Sequence, residues 1–291
     1  MRDYAITALD ELGHEVFSLD SSTIGVPGLH HDFEVLPSGN ILTMSYVFRE
    51  IDDPALGQVT VAGDLLLEVT PEGDILWSWD MFDHLDVDRR PEGFDEMVIN
   101  PLTGEPGYDW THSNGLLYEP ETNSVLVSVR HQDWLIRVDR ETSEVVWRFG
   151  ADGDFALSAG TWPYHQHSPQ WQPDGSLLLY DNGLHNPQVA DADERSRAVR
   201  YVLDEDGMTV AQVWEDGGDV MAPIAGDADR VPDGSVLITD SSIDFGIGMP
   251  YAVIRKADEA DSGRTVWSLQ TEIATFIYRC VETSRLVGER R

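Results

Sequence analysis

Turn residues return every ten or so positions along this chain, and no stretch carries a long 3.6-residue apolar period. Short strands joined by tight turns are what such spacing permits, so an all-β fold is expected. The hairpins alternate between two kinds. The first carries a proline turn between apolar runs: EVLPSGNILTMS (34–45), LYEPETNSVLVS (117–128), QWQPDGSLLLYD (170–181) and DRVPDGSVLITD (229–240). The second ends near a tryptophan, over 65–80, 135–150, 198–216 and 252–270. Trp77, Trp147, Trp214 and Trp267 hold matching places there and are expected to pack between repeats. Four strands recurring about every fifty residues is the pattern of a β-propeller blade, which buries its faces only by stacking on its neighbours. Five repeats are counted and six are possible, in a single domain over 1–291. Residues 1–20 and 274–288 are expected to join in a closing blade. Residues 81–110 read as an inserted irregular loop.

Charge narrows the partners. The 291 residues include 53 acidic and 19 basic ones, a net charge of -34, and the acidic residues are spread through the turns. That describes a solvated acidic shell of the halophilic kind, and its field repels nucleic acid and anionic membranes. No apolar run reaches the ~18 residues of a membrane helix. The first residues, MRDYAITALDELGHEVF, lack a basic end followed by an apolar core, so a cytoplasmic location is expected. Cys280 is the one cysteine and cannot close an internal disulfide; with strand-like neighbours Phe276 to Tyr278 it reads as a buried structural thiol.

Aligning the first-kind hairpins on their turn proline brings polar residues into one row. His31 lies six before Pro37, Asn114 six before Pro120 and His167 six before Pro173. His112 and His165 stand two residues further back. Counting across each turn sets Asn114 opposite Arg130 and His167 opposite Asp181. The candidate site is therefore His31, His112, Asn114, Arg130, His167 and Asp181, with His165, Gln132 and Asn182 beside it. His14, His84 and His185 have no partner in this row and read as surface residues. Strand alternation sends His131 outward from Arg130. Three histidines and an aspartate suit zinc, but Arg130 in the same row repels a dication and no compact ligand motif is present, so no metal or cofactor is expected. A fixed guanidinium, neutral imidazoles and an amide instead suit a tetrahedral oxyanion. A further imidazole can take the group covalently.

At this point the motifs DWTHSN (109–114), SVRHQ (128–132), VDRETSEVVWRFG (138–150), QHSPQWQPDGSLLLYDNG (166–183) and SRAVRY (196–201) resemble the arylsulfate sulfotransferases of bacteria and archaea. HHDFEVLPSGN (30–40) and GDADRVPDGSVLITDS (226–241) fit the same pattern. The resemblance covers about 30 to 280. It implies a propeller that moves a sulfuryl group from an aryl sulfate donor to a phenol acceptor by a ping-pong route through a sulfohistidine, without the nucleotide donor PAPS. Carried over, the nucleophile is His167. His112, Asn114 and Arg130 hold the sulfuryl oxygens, with His112 able to protonate the leaving phenolate. His31 acts on donor or acceptor, with His30 as its neighbouring alternative. Asp181, opposite His167 in the counted register, is expected to orient it. Trp110, Trp162, Tyr164 and Phe245 are candidates for the aryl pocket, with structural packing as the other reading of each. Two other readings remain open from the residues, a non-catalytic ligand-binding propeller and a metal-assisted propeller hydrolase. The sequence leaves the oligomeric state open.

Overall fold

The computed structural model describes residues 4–91, 96–216, 218, 220–243, 248, 250–261 and 263–283. The chain is all-β, as the turn spacing requires. In order the strands are β1 (Ala5–Leu9), β2 (Glu15–Asp20), β3 (Leu29–Val35), β4 (Ile41–Asp53), β5 (Gly57–Val69), β6 (Ile75–Asp80), β7 (Met97–Ile99), β8 (Pro106–Asp109), β9 (Ser113–Glu119), β10 (Ser124–Val129), β11 (Trp134–Asp139) and β12 (Val145–Phe149). They continue as β13 (Ala156–Ala159), β14 (His167–Trp171), β15 (Leu177–Asp181), β16 (Arg197–Asp204), β17 (Thr209–Glu215), β18 (Gly226–Arg230), β19 (Val236–Ile243), β20 (Tyr251–Asp258) and β21 (Arg264–Gln270). Two four-residue helices, α1 (Ser21–Ile24) and α2 (Met81–His84), each begin on an aspartate, Asp20 or Asp80, whose side chain accepts a backbone N–H of the first turn. Four blade-like meanders result: β3-β4-β5-β6, β9 to β12, β14 to β17 and β18 to β21. A separate two-stranded sheet is β1-β2. No helix among the described residues is long and apolar enough to cross a membrane.

The proline turns do the same thing in three repeats. Leu36 N–H donates to Asn40 O, Gln172 N–H to Ser176 O and Val231 N–H to Ser235 O, at 2.8, 2.8 and 2.9 Å. Gly39, Gly175 and Gly234 sit at φ +87°, +80° and +88°, a left-handed conformation that glycine adopts without steric cost.

The chain divides into two compact units. Of the described residues, 4–132 and 137–146 belong to unit 1, and 133–136 and 147–283 to unit 2. In unit 1, Ile6, Leu19, Ile24, Val26, Leu29, Ile41, Leu67 and Val69 form one core cluster. Full burial of such a side chain is worth about 1.5–3 kcal/mol. In unit 2, Leu178, Tyr180, Ala198, Ala228, Val236 and Ile238 form another, with Trp214 packed against it.

Four expectations need correction. The 81–110 insert is not irregular throughout: β7 and β8 pair antiparallel, and β8 then pairs parallel with β5 at Val61↔Tyr108 and Ala62↔Asp109. The long β4–β5 hairpin, in register from Ile41↔Val69 to Asp53↔Gly57, supplies the free edge that makes this possible. Among the tryptophans Trp147 is buried, but Trp267 is 50% exposed because every residue of β21 is exposed. Trp77 lies partly open under Arg140, and it is Trp79 that is buried, its Nε1–H donating to Ser143 O at 3.0 Å. Cys280 is half-buried, packed near Val231, Leu237 and Ile254, and residues 274–283 form no strand. Residues 284–288 of the expected closing blade lie outside the described residues.

Candidate active-site residues

In unit 1 the site is built where strand geometry breaks. β3 pairs Leu29 with Ser45 but Phe33 with Thr43, and His31 inside that irregularity has φ 55°. The break places two adjacent histidines in contact, with Nδ1 atoms 2.8 Å apart. His30 stacks on Tyr46 at 4.1 Å, and its Nε2 lies 3.2 Å from Asp64 Oδ1. Asp64 is fully buried and also accepts from Thr111 Oγ1 (2.7 Å) and Ser113 N–H (2.6 Å). Burial pushes its carboxyl up, but the His30 contact and these two donors outweigh that and hold it below its ordinary value. His31 is exposed at a cavity of about 400 Å³ lined by Tyr4, Leu29, His30, Phe33 and Thr43.

His112 starts the next group. Its φ is 50°, and its ring lies 4.9 Å from His31 and 4.7 Å from His131. His112 Nδ1 is 2.6 Å from Asp109 Oδ2. An ionised carboxylate only accepts, so Nδ1 carries the proton and the lone pair is on Nε2. Burial pushes the imidazole below its ordinary value; Asp109 opposes this, and His131 and Arg130 add to it. Asn114 is fully buried two residues on. The β9–β10 register slips at its end, from Ser128↔Gly115 to Val129↔Ser113, and Arg130 N–H donates to His112 O at 3.2 Å. Arg130 therefore lies across from His112, not from Asn114 as the turn count expected.

The chain then enters a 3-10 turn, Arg130–Gln132. That turn cancels the alternation that was to send His131 outward. His131 faces the site: its Nδ1–H donates to Asp109 O at 2.8 Å, and its Nε2 lies 2.5 Å from Arg130 Nη1 and 3.5 Å from Glu96 Oε2. Arg130 Nη1 donates to Glu96 Oε1 at 3.3 Å. Gln132 is structural, its Nε2 donating to Trp110 O while its Oε1 accepts from Arg89. Glu96, Asp109, His112 and His131 offer ligand atoms within 4.8 Å of one another, a set that suits a metal ion by donor type alone. The fixed charge of Arg130 stands inside that set. Sequence counting missed His131 and Glu96. The signal for the first was its place beside Arg130; for Glu96, in the insert, there was none.

In unit 2 the counted register holds near the turn, with Gln170↔Leu178 and Trp171↔Leu177, then shifts by one to His167↔Tyr180. Ser168, at φ 51°, is the extra residue. His167 therefore does not face Asp181. Its Nδ1 lies 2.6 Å from Asn182 Oδ1. The Asn182 amide nitrogen donates to Ala222 O at 2.5 Å, which fixes the amide with Oδ1 toward the ring. Oδ1 can only accept, so His167 carries its proton on Nδ1 and its lone pair on Nε2.

Asp181 is turned elsewhere, accepting from Tyr164 N–H (2.8 Å), Gly183 N–H (2.9 Å) and Arg197 Nε–H (2.9 Å). Burial pushes its carboxyl up, against the pull of Arg197. It does not orient His167. His165 is fully buried, with Nδ1 3.1 Å from Asp133 Oδ1 and its backbone N–H donating to the same oxygen at 2.8 Å. His14 and His185 are exposed, as is His84, which lies against Trp79. Of the aryl-pocket candidates, Trp110 and Tyr164 are buried in packing, Trp162 lies edge-on to Phe149 at 5.3 Å, and Phe245 lies outside the described residues.

An all-β chain of four-stranded meanders, with buried imidazoles held by carboxylate, amide and guanidinium groups, sets the class. Residues 2–279 match the family described as Arylsulfotransferase (ASST), and the chain belongs to that family. It is 26% identical over 215 residues to the arylsulfate sulfotransferase AssT of Escherichia coli O6:H1, a match covering 55% of this chain and 35% of that protein. The match thus spans about a third of that relative's length. Among solved structures, the periplasmic gluconolactonase PpgL of Pseudomonas aeruginosa has 10% identity and a TM-score of 0.42, with 94% of this chain and 80% of that one covered. A putative 6-phosphogluconolactonase from Bacteroides uniformis has 13% identity and a TM-score of 0.41, covering 94% and 84%.

Proposed function

We propose that this chain transfers a sulfuryl group from an aryl sulfate ester to a phenol by a ping-pong route through a sulfohistidine on His167, with no nucleotide donor. The observation that carries the reading is the fixed tautomer of His167, whose Nε2 lone pair is what a nucleophile needs. Family membership supports the substrate class. In the first half-reaction the Nε2 pair forms the N–S bond, the S–O(aryl) bond breaks, and the phenolate leaves to take a proton from solvent. In the second, an acceptor phenol gives up its proton, its oxygen forms the new S–O bond, and the N–S pair returns to Nε2.

Arg130 and Asn114 supply donors of the kind that suits sulfuryl oxygens, whose value rises as charge develops on those oxygens. His112 suits the second half-reaction better than the first. Its Nδ1 proton is committed to Asp109, so its Nε2 can accept a proton from a phenol but has none to give to a leaving phenolate. His31 lies at the cavity that would take an aryl group.

The test is a mass gain of one SO3 on the His167 peptide after incubation with p-nitrophenyl sulfate. Full turnover by His167→Ala, or no adduct during turnover, overturns the proposal. A metal-assisted hydrolysis draws on the Glu96, Asp109, His112 and His131 set; stoichiometric tightly held zinc or calcium that turnover requires would favour it instead.

A further inference from the structure

Glu96 stands where an oxyanion would. Its two oxygens lie 3.3 Å from Arg130 Nη1 and 3.5 Å from His131 Nε2. Arg130 is 2% exposed, so this guanidinium has little access to water. Glu96 itself is half-exposed, 50% at the side chain, and comes from the insert. Its backbone is pinned to the cluster, because Asp109 N–H donates to Glu96 O at 3.0 Å. The half-exposed side chain has room to rotate toward solvent while that backbone contact stays in place. The His131 contact first, and the Arg130 charge after it, hold the Glu96 carboxyl well below the usual carboxylate range, so it is present as an anion.

We propose that Arg130 forms an oxyanion seat and that Glu96 is its resident occupant, a carboxylate that a sulfate or sulfate ester must displace. This rests on the oxyanion reading above and adds Glu96 to it. His131 is a positioning residue: its Nδ1–H is committed to Asp109 O, so its Nε2 pair accepts from Arg130 Nη1 and steadies the guanidinium. Glu96 becomes a gate: its carboxylate answers the charge of a buried guanidinium while the seat is empty. It also sets a threshold, because only a group that outcompetes a tethered carboxylate enters. A doubly charged or strongly hydrogen-bonding oxyanion does so better than a single exposed carboxylate. The same side chains offer a donor set for a dication, but with Arg130 among them the seat selects for negative charge.

The experiment is calorimetric titration of inorganic sulfate into the wild-type chain, Glu96→Gln and Glu96→Gln/Arg130→Ala at fixed ionic strength. Glutamine keeps the shape of the half-exposed side chain and removes its charge. Sulfate is expected to bind Glu96→Gln at least about tenfold more tightly than wild type, the scale of one displaced charge-assisted contact. The double variant is expected to lose that gain. Sulfate binding in Glu96→Gln no tighter than in wild type, including none detectable in either, overturns the proposal. So does one zinc ion bound per wild-type chain and lost in Glu96→Gln. The measurement involves no turnover, so a missing sulfohistidine on His167 would leave it standing, and its failure would leave the His167 test intact.

Discussion

Replacing Asn182 by aspartate tests which atom of His167 is the nucleophile. The substitution keeps the shape and an acceptor oxygen, 2.6 Å from Nδ1 in the wild type, but adds a full negative charge. An opposite charge this close raises an imidazole's pKa by about 1–3. The sign follows directly. Aspartate favours the imidazolium, a protonated Nε2 has no lone pair to attack sulfur, and the acid limb of the rate profile moves to higher pH. At a pH below that limb, the neutral fraction falls about 10- to 1000-fold, since each unit is a factor of ten. Well above it the rate is unchanged. The introduced carboxylate would also face Ala222 O, which accepts from the Asn182 amide in the wild type, so a stability loss of about 1–3 kcal/mol accompanies the change. Stopped-flow release of p-nitrophenolate from p-nitrophenyl sulfate between pH 5 and 9 gives the profile, and thermal unfolding shows the variant is native. A limb that does not move in a folded Asn182→Asp protein refutes the tautomer argument.

Asp227 is pushed up to about 7, by burial first and by Asp229 second, with Arg279 and Ser168 opposing. Its native form holds a proton that the unfolded chain has already lost between pH ~4 and ~7, so stability falls as pH rises through that window. Asp227→Asn is expected to gain up to about 4 kcal/mol over wild type at pH 8 and almost nothing at pH 4; urea midpoints at the two pH values check this, and an equal gain at both sinks it. Gly226 has no room for a side chain, since a Cβ would lie 2.1 Å from Tyr180 Cε1, in a ring fully buried and held by Asp240 at 2.8 Å. Gly226→Ala is expected to cost about 1–3 kcal/mol and lower the melting temperature by several degrees; unchanged melting would show that Tyr180 moves freely.

The repeats were legible because proline and glycine state their turns locally. Pro173-Asp174-Gly175 and Pro232-Asp233-Gly234 fold as their composition requires, and the registers next to them follow by counting. Counting failed a few residues further on, and always at the candidate site. His31, His112, His165 and Ser168 all have positive φ, a conformation that histidine and serine take too seldom for counting to anticipate it. One such residue moves each later side chain to the other face. That is why Asn182 replaced Asp181 beside His167, and why His112 replaced Asn114 across from Arg130. The 3-10 turn at 130–132 likewise brought His131 in. Trp267 failed for another reason: a repeat predicts a residue's place within its own sheet, while its burial depends on what lies against that sheet.

The amide of Asn182 works in one direction only. It takes a proton contact from His167 on one side and gives one to Ala222 O on the other. The loop carrying that carbonyl is closed back on the same strand end, because Ala222 N–H donates to Ser196 Oγ (2.8 Å) and Ser196 Oγ–H donates to Asn182 O (2.8 Å). The proton address of the His167 imidazole is thus set by a main-chain carbonyl forty residues away in sequence. No side chain at 222 takes part in this contact; Ala222 is constrained only by its burial in the unit 2 core. What has to be inherited is the course of the backbone at 222, and a change of loop length there would misdirect the histidine while leaving His167 and Asn182 themselves unchanged.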